Sequence, residues 1–285
     1  MDDILLKVDH LSQYFGSHKA VDDVSFRIRR GEVFGLVGES GCGKTTIGRC
    51  IMGLYPFSEG QITFDGRPIL PGSAGGEKGI QMIFQDPMAS LDPRMTVQEI
   101  IGEGLKIHGC RDRAVLKEKV ESVLDQVGLR REVASRYPHE FSGGQRQRIG
   151  IARAMVMDPQ LLIADEPISA LDVSVQAQII NLLEDLRRKR GLTVLFIAHD
   201  LAVVKYFCSR VGVMYRGQLM ELAASEELFA HPLHPYTRSL LSAIPLPDPR
   251  AQRRRTRIPY VPEAASKSVM RQLRPEHWVR CTVTE

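Results

Sequence analysis

Residues 33–54 contain the feature that most restricts what this chain can fold into. The apolar run VFGLVG leads directly into GESGCGKTT, and TTIGRCIMGL continues with helical periodicity. The middle segment matches GxxxxGK[ST] in the strand–loop–helix setting that the pattern requires. Glycines let the backbone N–H groups of such a loop turn toward phosphates, and the helix N-terminus adds positive potential. The segment predicts a phosphate-binding loop, here named the P-loop, formed by Gly38, Glu39, Ser40, Gly41, Cys42, Gly43, Lys44, Thr45 and Thr46.

Within that loop, two side chains have chemistry suited to a nucleotide. Lys44 is expected to reach the β- and γ-phosphates, and the Thr45 hydroxyl is expected to ligate Mg²⁺. A magnesium ion also needs carboxylate oxygens. The segment LLIADE at residues 161–166 offers them, because four apolar residues predict a buried strand that ends in Asp165 and Glu166. Asp165 is therefore the candidate metal ligand, and Glu166 is placed to polarise an attacking water, which predicts hydrolysis rather than group transfer.

Two polar residues follow other predicted strands at the same sheet edge. Gln85 comes after IQMIF, and His199 comes after TVLFIA. A glutamine amide could contact the metal ion or the water, and an imidazole could contact the γ-phosphate. Each residue taken alone is more often an ordinary polar side chain at a strand end. Together with the P-loop and the two acids, they become candidate catalytic residues, with Gln85 also a candidate metal ligand.

The order of predicted elements indicates an α/β fold. VDDVSFRI, VFGLVG, QITFDGRPI, QLLIAD, LTVLFIAH and VGVMY are predicted strands, and residues 174–190 are a predicted helix. Buried strands that alternate with helices favour a mainly parallel sheet. From about residue 86 to residue 158 the periodicity is helical, which predicts an all-helical insert. Beyond about residue 231 the chain is rich in proline, which predicts an extended appendage rather than a second core.

Composition and charge exclude several classes of protein. The chain is 43% hydrophobic and 25% charged, as in globular proteins, and no apolar run approaches the about 20 residues that span a bilayer. The N-terminal residues lack the apolar region of a secretory signal. Five scattered cysteines without CxxC spacing fit neither a disulfide framework nor a zinc site, and they indicate a reducing compartment.

The net charge of +4 is concentrated near the C-terminus. From Arg250 onward there are nine Lys and Arg against three Asp and Glu, so the preceding residues sum to −2. The run RAQRRRTR at residues 250–257 is most simply a solvated face, and contact with anionic lipid or an acidic partner is the alternative. Nucleic acid is a less favoured partner because the body of the chain is slightly acidic.

These motifs occur in the order found in the nucleotide-binding subunit of ABC transporters, which the chain resembles over about residues 3–230. The resemblance assigns the P-loop to Walker A, Gln85 to the Q-loop, Asp165 to the end of Walker B, Glu166 to the catalytic glutamate and His199 to the switch histidine. FSGGQ at residues 141–145 resembles the signature motif, with Phe141 where the family usually has Leu, and SALD at residues 169–172 resembles the D-loop. The further implied nucleotide contacts are Ser142, Gly143, Gly144, Gln145 and Asp172, with Phe15 or the adjacent Tyr14 stacking on adenine.

The resemblance also implies the fold. It is a P-loop NTPase of the α/β class, with an ABC-type ATPase core, a mainly parallel sheet, an antiparallel β subdomain and a helical insert. The nucleotide-binding domain would comprise residues 1–235, with the helical subdomain at about residues 86–158. Residues 236–285 would form a short C-terminal extension of the oligopeptide/dipeptide transporter type.

A second phosphate-binding segment has an explanation in this family. Two nucleotide-binding domains meet head to tail, and each ATP lies between the Walker A loop of one and the signature of the other. The N–H groups at Ser142 and Gly144, with their helix dipole, would face a γ-phosphate held by the partner. The chain would thus supply half of each of two sites, and its ligands would be ATP and Mg²⁺.

Two segments resemble the peptide/nickel branch of importer ATPases: QDPMASLDPRMTVQEII at residues 85–101 and HPLHPYTRSLLSAIPLPDP at residues 231–249. The branch implies uptake of di- or oligopeptides, or a related small solute, by a subunit peripheral to the cytoplasmic face of the inner membrane. The implied partners are a second ABC ATPase subunit in a heterodimer, two transmembrane permease subunits and an extracytoplasmic solute-binding protein. Some members hold an iron–sulfur cluster through several C-terminal cysteines. Only Cys281 occurs in the corresponding HWVRC segment, so no cluster is expected.

Two alternative functions remain open at this stage. One is a transporter subunit that differs in cargo, such as an importer for nickel, a metallophore or another solute, or in the direction of transport. The other is a soluble ABC ATPase that acts on nucleic acid or ribosomes. DNA-repair versions carry long coiled coils in the insert and translation factors carry two tandem cassettes, and this sequence has neither, so no nucleic-acid partner is expected.

Overall fold

The computed structural model describes residues 3–72, 79–86, 90–244, 258–262 and 268–282. It divides into two compact units, named here unit 1 (Met1–Ala74 and Phe196–Glu285) and unit 2 (Gly75–Leu195). The basic run at residues 250–257 lies outside the described residues. So do residues 87–89 and 245–249 of the two branch-specific segments.

The described residues form both strands and helices. The strands are β1 (Ile4–Phe15), β2 (His18–Arg29), β3 (Val33–Val37), β4 (Glu59–Phe64), β5 (Arg67–Ile69), β6 (Ile80–Ile83), β7 (Leu161–Asp165), β8 (Thr193–Ala198), β9 (Arg210–Tyr215), β10 (Gln218–Ala224), β11 (Ser268–Arg274) and β12 (His277–Thr282). The helices are α1 (Lys44–Ile51), α2 (Val97–Ile107), α3 (Arg113–Gln126), α4 (Gly143–Met155), α5 (Val173–Arg190), α6 (Leu201–Phe207), α7 (Ser225–Ala230) and α8 (Pro235–Ser242). Short 3₁₀ turns occur at Arg131–Ser135 and Pro138–Glu140.

Unit 1 contains the antiparallel β subdomain, a sheet with the strand order β2-β1-β4-β5. In β2 the side chains of Val24, Phe26 and Ile28 are buried while those between them are exposed, which confirms the predicted half-buried strand. The turn between β4 and β5 is made by Asp65 and Gly66, which both have positive φ, at 48° and 75°. Asp-Gly is the pair favoured at such a hairpin turn because both central residues must tolerate that backbone conformation.

A second sheet in unit 1 carries the P-loop. Its strands follow the order β11-β12-β10-β9-β3, with β3 parallel to β9 in a register from Phe34↔Arg210 to Val37↔Val213. All five residues of β3 are buried, as the continuous apolar run predicted. The P-loop begins where β3 ends, so the buried strand fixes the position at which the loop starts.

The C-terminal region differs from the extended appendage that its proline content predicted. Helix α8 spans the expected boundary at residue 235, and β11 and β12 form a hairpin that continues the sheet of unit 1. Strand β12 pairs with β10 through Glu221↔Val279 and Leu222↔Trp278. The prediction was wrong here because the pairing partner lies more than fifty residues earlier in the chain, and composition carries no information about such a partner. The domain boundary itself stays a prediction.

Unit 2 contains the parallel pair β6 and β7, in a register from Ile80↔Leu161 to Ile83↔Ala164. From residue 90 to residue 158 the described chain is helical or loop, in agreement with the expected helical insert. A capping box starts α2, since the Thr96 hydroxyl accepts from the Glu99 N–H and the Glu99 carboxylate accepts from the Thr96 N–H. Helix α5 ends at Gly191, which takes the left-handed conformation typical of a helix C-terminus. Across the described residues of both units, no helix combines the length and apolar character needed to cross a membrane.

Candidate nucleotide-binding site

The P-loop connects β3 to α1 and encloses its own lysine. Gly38, Gly41 and Gly43 have positive φ values of 149°, 77° and 102°, which L side chains rarely adopt. The Lys44 ammonium donates hydrogen bonds to the carbonyl oxygens of Gly38 at 2.8 Å and Glu39 at 2.7 Å. The lysine side chain is buried, so its charge lies inside the curve of the loop.

Neighbouring backbone fixes the P-loop from outside. A Cβ at Gly38 would overlap the Met214 carbonyl oxygen, and a Cβ at Gly43 would overlap the Ala20 carbonyl oxygen. The Gly217 N–H, in the turn between β9 and β10, donates to the Cys42 carbonyl oxygen at 3.1 Å. Only glycine therefore fits at Gly38 and Gly43.

The Cys42 thiol lies 3.5 Å from the Lys44 ammonium and is buried. Burial raises the pKa of Cys42, although the Lys44 charge acts in the opposite direction. The thiol thus stays neutral and adds no negative charge to the loop. With a buried ammonium, glycine backbone and a helix N-terminus, the P-loop fits a polyphosphate.

The remaining P-loop side chains are more accessible. Glu39, Ser40 and Gly41 are exposed, and Thr45 and Thr46 are partly exposed in the first turn of α1. The Glu39 N–H donates at 3.4 Å to the hydroxyl oxygen of Tyr236, a residue 197 positions later. No short motif in the sequence signals this contact, because the two residues are far apart along the chain.

The adenine-stacking candidates lie at the end of β1. Phe15 is 46% exposed and meets the Tyr55 ring edge-on, with centroids 5.4 Å apart. Tyr14 is 36% exposed and has the Lys19 ammonium 5.2 Å from its ring centroid. Phe15 is the more exposed of the two residues, and the choice between them stays a prediction.

His199 directly follows β8 and is exposed in unit 1. The next residue, Asp200, caps α6 by accepting a hydrogen bond from the Ala202 N–H at 2.9 Å. The backbone at His199 is therefore held between a buried strand and a capped helix.

The acidic residues lie in unit 2 together with the Q-loop glutamine. Asp165 ends β7 and is 1% exposed, whereas Glu166 is partly exposed. The Gln85 amide donates to the Glu166 carboxylate at 3.0 Å. The structure thus brings together two residues that the sequence placed at the same edge of the sheet.

Glu166 has an unusual backbone for a residue with a side chain. Its φ of 45° lies in the left-handed region. Its carbonyl oxygen accepts hydrogen bonds from the N–H and the hydroxyl of Ser169, at 3.2 and 3.1 Å. Strained backbone of this kind persists where the surroundings fix it and is common at functional sites.

The signature segment starts α4 in unit 2. Ser142 and Gln145 form a capping box, with the Ser142 hydroxyl accepting at 3.4 Å and the Gln145 side chain accepting at 3.0 Å. Phe141 is buried, whereas Ser142, Gly143 and Gln145 are exposed. The segment is thus anchored by Phe141 and accessible at the start of its helix.

The D-loop residues pack against the signature. A Cβ at Gly143 would lie 3.5 Å from Leu171, and a Cβ at Gly144 would lie 2.6 Å from Val175. Asp172 caps α5 by accepting from the Val175 N–H at 3.0 Å. Hydrogen bonds from Ser174 and Val175 lower the pKa of Asp172, so it is ionised at neutral pH.

Comparison with known proteins matches these motifs to one family. The family model described as ABC transporter matches residues 21–169, from before the P-loop to the D-loop. The chain belongs to the ABC transporter family. A second family model, the C-terminal region of oligopeptide/dipeptide transporters, matches residues 220–268 of this ABC family member.

Curated relatives agree over the whole length of the ABC chain. The oligopeptide transport ATP-binding protein OppF of Bacillus subtilis (strain 168) is 54% identical over 301 aligned residues, which cover 100% of this chain and 98% of the relative. OppF of Streptococcus mutans is 54% identical and covers 94% of this chain and 89% of the relative.

Solved structures confirm the predicted ABC ATPase fold of the P-loop NTPase class. The cbiO1 protein of Clostridium perfringens, part of the ABC transporter complex cbiONQ, matches with a TM-score of 0.72 and 30% identity. That match covers 81% of this chain and 92% of cbiO1. The ATP-binding cassette MJ0796, solved as a dimer bound to ADP and Pi, matches with a TM-score of 0.68 and 26% identity, over 78% of this chain and 99% of that one.

Proposed function

We propose that this chain is the ATP-hydrolysing subunit of an ABC importer that takes up di- or oligopeptides, or a related small solute, across the cytoplasmic membrane. Two observations support it. The Gln85–Glu166 hydrogen bond gives the chain an oriented carboxylate for hydrolysis, and it carries the enzymatic part of the proposal. The full-length similarity to OppF, whose name specifies oligopeptide transport, supports the cargo.

The P-loop would hold the nucleotide. Its backbone N–H groups and Lys44 would bind the β- and γ-phosphates, and the two carbonyl contacts already place the ammonium inside the loop. Thr45, Gln85 and Asp165 would hold Mg²⁺, which would offset the negative charge of the phosphates. Phe15, or Tyr14, would stack on the adenine.

Glu166 would polarise the attacking water and accept its proton through the carboxylate. The Gln85 amide fixes one carboxylate oxygen at 3.0 Å, and the constrained backbone at Glu166 limits where the side chain can point. His199 would contact the γ-phosphate and help to orient it. Hydrolysis by this route does not require transfer of the phosphoryl group to the protein.

A second ATPase subunit would complete each site. The start of α4, with Ser142, Gly143, Gly144 and Gln145, would face the γ-phosphate on that partner, and Asp172 would contribute from the D-loop. The partner is expected to be a different ATPase, giving a heterodimer. The dimeric cassette MJ0796 supports pairing of such subunits.

The ABC subunit would work at the cytoplasmic face of the membrane. It would dock peripherally on two transmembrane permease subunits, to which an extracytoplasmic solute-binding protein delivers the cargo. Nucleic acid is not an expected partner, and the absence of an iron–sulfur cluster stays a prediction.

The test separates binding from hydrolysis. Glu166→Gln keeps the size of the side chain and removes its charge. It should bind ATP within about twofold of the wild-type affinity, yet lose hydrolysis by at least about 100-fold. Glu118→Gln, an exposed change in α3, is the matched control and should hydrolyse ATP normally. Unchanged turnover in Glu166→Gln would refute the assigned role.

Cargo is tested in the assembled transporter. The chain is purified with its neighbouring subunits, reconstituted in vesicles and supplied with a panel of labelled di- and oligopeptides. ATP-dependent uptake of peptides is expected. Uptake of a nickel chelate without any peptide would reassign the cargo while leaving the ATPase intact.

A further inference from the structure

Tyr236 connects the C-terminal region to the P-loop within unit 1. It lies in α8, is 2% exposed, and accepts a hydrogen bond from the Glu39 N–H at 3.4 Å. Tyr236 lies in the branch-specific segment at residues 231–249, but neither that resemblance nor the mechanism above assigns it a role. Its hydroxyl is nevertheless placed at the first residues of the phosphate-binding loop.

The peptide group that Tyr236 contacts is also the one that holds Lys44. The Glu39 N–H and the Gly38 carbonyl belong to one planar peptide unit. The Lys44 ammonium donates to that carbonyl at 2.8 Å while Tyr236 accepts from the N–H. Hydrogen bonds on both sides of a peptide group polarise it and strengthen one another. A single peptide plane therefore links the tyrosine hydroxyl to the P-loop ammonium.

An aromatic cluster holds the Tyr236 ring in place. The ring centroids of Tyr236 and Tyr215 are 4.4 Å apart, and those of Tyr236 and Tyr260 are 5.3 Å apart in an edge-on arrangement. Tyr215 ends β9 and follows Met214, whose carbonyl oxygen abuts Gly38. The cluster thus stands beside the start of the loop.

Buried hydrogen bonds fix the start of α8. The His234 side chain caps the helix by accepting from the Tyr236 N–H at 3.1 Å. The Glu221 carboxylate accepts from the N–H groups of Leu233 and His234, at 2.8 and 3.0 Å, and lies 2.6 Å from the His277 ring. Glu221 and His277 are fully buried. Tyr236 is therefore anchored to both β10 and the C-terminal hairpin.

We propose that Tyr236 is a positioning residue for the P-loop: its hydroxyl fixes the peptide between Gly38 and Glu39, and thereby the Lys44 ammonium that binds the phosphates of ATP. The choice of ATP as the ligand rests on the proposed function, whereas the loop-positioning role does not. Burial, and after it the charge of Glu39, raise the pKa of Tyr236, so the hydroxyl stays protonated in any ordinary assay.

The experiment uses the full-length chain with Tyr236→Phe, which keeps the ring and removes only the hydroxyl. Without nucleotide, amide hydrogen exchange at Glu39 should become about three- to tenfold faster, since one neutral hydrogen bond is lost. ATP affinity from calorimetry should fall by a similar factor, and in hydrolysis assays KM should rise while kcat stays within about twofold. Tyr206→Phe, at a tyrosine of unit 1 that is 79% exposed, is the matched control and should change none of these.

Wild-type exchange at Glu39 in Tyr236→Phe would overturn the inference, even if the variant melts at a lower temperature, because the hydroxyl would then serve packing alone. Wild-type affinity and KM would overturn it as well. If the unmodified chain failed to bind ATP, the proposed function would fail instead. Exchange at Glu39 in the nucleotide-free protein would still decide whether Tyr236 positions the loop.

Discussion

The P-loop and the signature segment both place glycines at the start of a helix, but the glycines serve different physical needs. In the P-loop, Gly38 and Gly43 have positive φ, and an added Cβ would overlap backbone carbonyl oxygens. In the signature, Gly143 and Gly144 have helical backbone, and an added Cβ would meet only side chains. The P-loop is thus fixed by its own chain. The start of α4 is exposed at Ser142, Gly143 and Gln145, while the side of Gly144 lies against Val175.

The largest effect is expected from Gly43→Ala. The new Cβ would overlap the Ala20 carbonyl oxygen in a backbone conformation unfavourable for alanine. Strain and overlap together should weaken ATP binding by about 100-fold, measured by calorimetry on protein whose circular dichroism is unchanged. Gly150→Ala is the control, since its Cβ meets nothing within 4 Å. Near-normal affinity in Gly43→Ala would contradict the account of the P-loop.

Gly143→Ala tests the signature segment in the same way as Gly43→Ala tests the P-loop. Its Cβ would lie in ordinary contact, 3.5 Å from Leu171, so the isolated chain should keep its melting temperature and ATP affinity. Association of two ATPase subunits should weaken about tenfold, because in the proposed head-to-tail dimer the methyl group would meet the phosphate bound by the partner. Sedimentation with ATP, in the Glu166→Gln background, measures this. Unchanged association would mean that Gly143 does not face the partner.

The smallest effects are expected when the two capping boxes are removed one at a time. Ser142→Ala and Thr96→Ala each remove a hydroxyl that accepts from the third residue of its helix, at 3.4 Å in both cases. Each should cost about 1 kcal/mol of unfolding free energy, or about 2 °C in Tm, by calorimetry. Only Ser142→Ala should also reduce ATPase activity in the assembled transporter. Equal activity in the two variants would mean that Ser142 only caps the helix and takes no part in hydrolysis.

Local patterns predicted much of the fold. The run VFGLVG predicted a buried strand, Asp65-Gly66 predicted a turn between strands, and helical periodicity predicted the insert. The structure shows all three. Each depends on residues within a few positions of one another, where backbone preference and burial act together. The family was recognisable for the same reason, since its motifs are short and strictly ordered.

Other features of the candidate site required the structure. The strand ends predicted that Gln85 and Glu166 share an edge of the sheet, but only the structure shows the hydrogen bond between them and the left-handed backbone at Glu166. The C-terminal hairpin was mistaken for an extended segment because its partner, β10, is distant in sequence. The roles of the individual site residues stay predictions that the variants above can test.

The sequence by itself determined a phosphate-binding loop between a buried strand and a helix, because glycine conformations and apolar burial act over short stretches. Only the tertiary structure decided that the Tyr236 hydroxyl reaches the Glu39 N–H across 197 positions. Such a contact depends on the packing of α8, β9 and β10 together. The entropy cost of closing so long a loop is offset by burial in the whole core and not by local backbone preference.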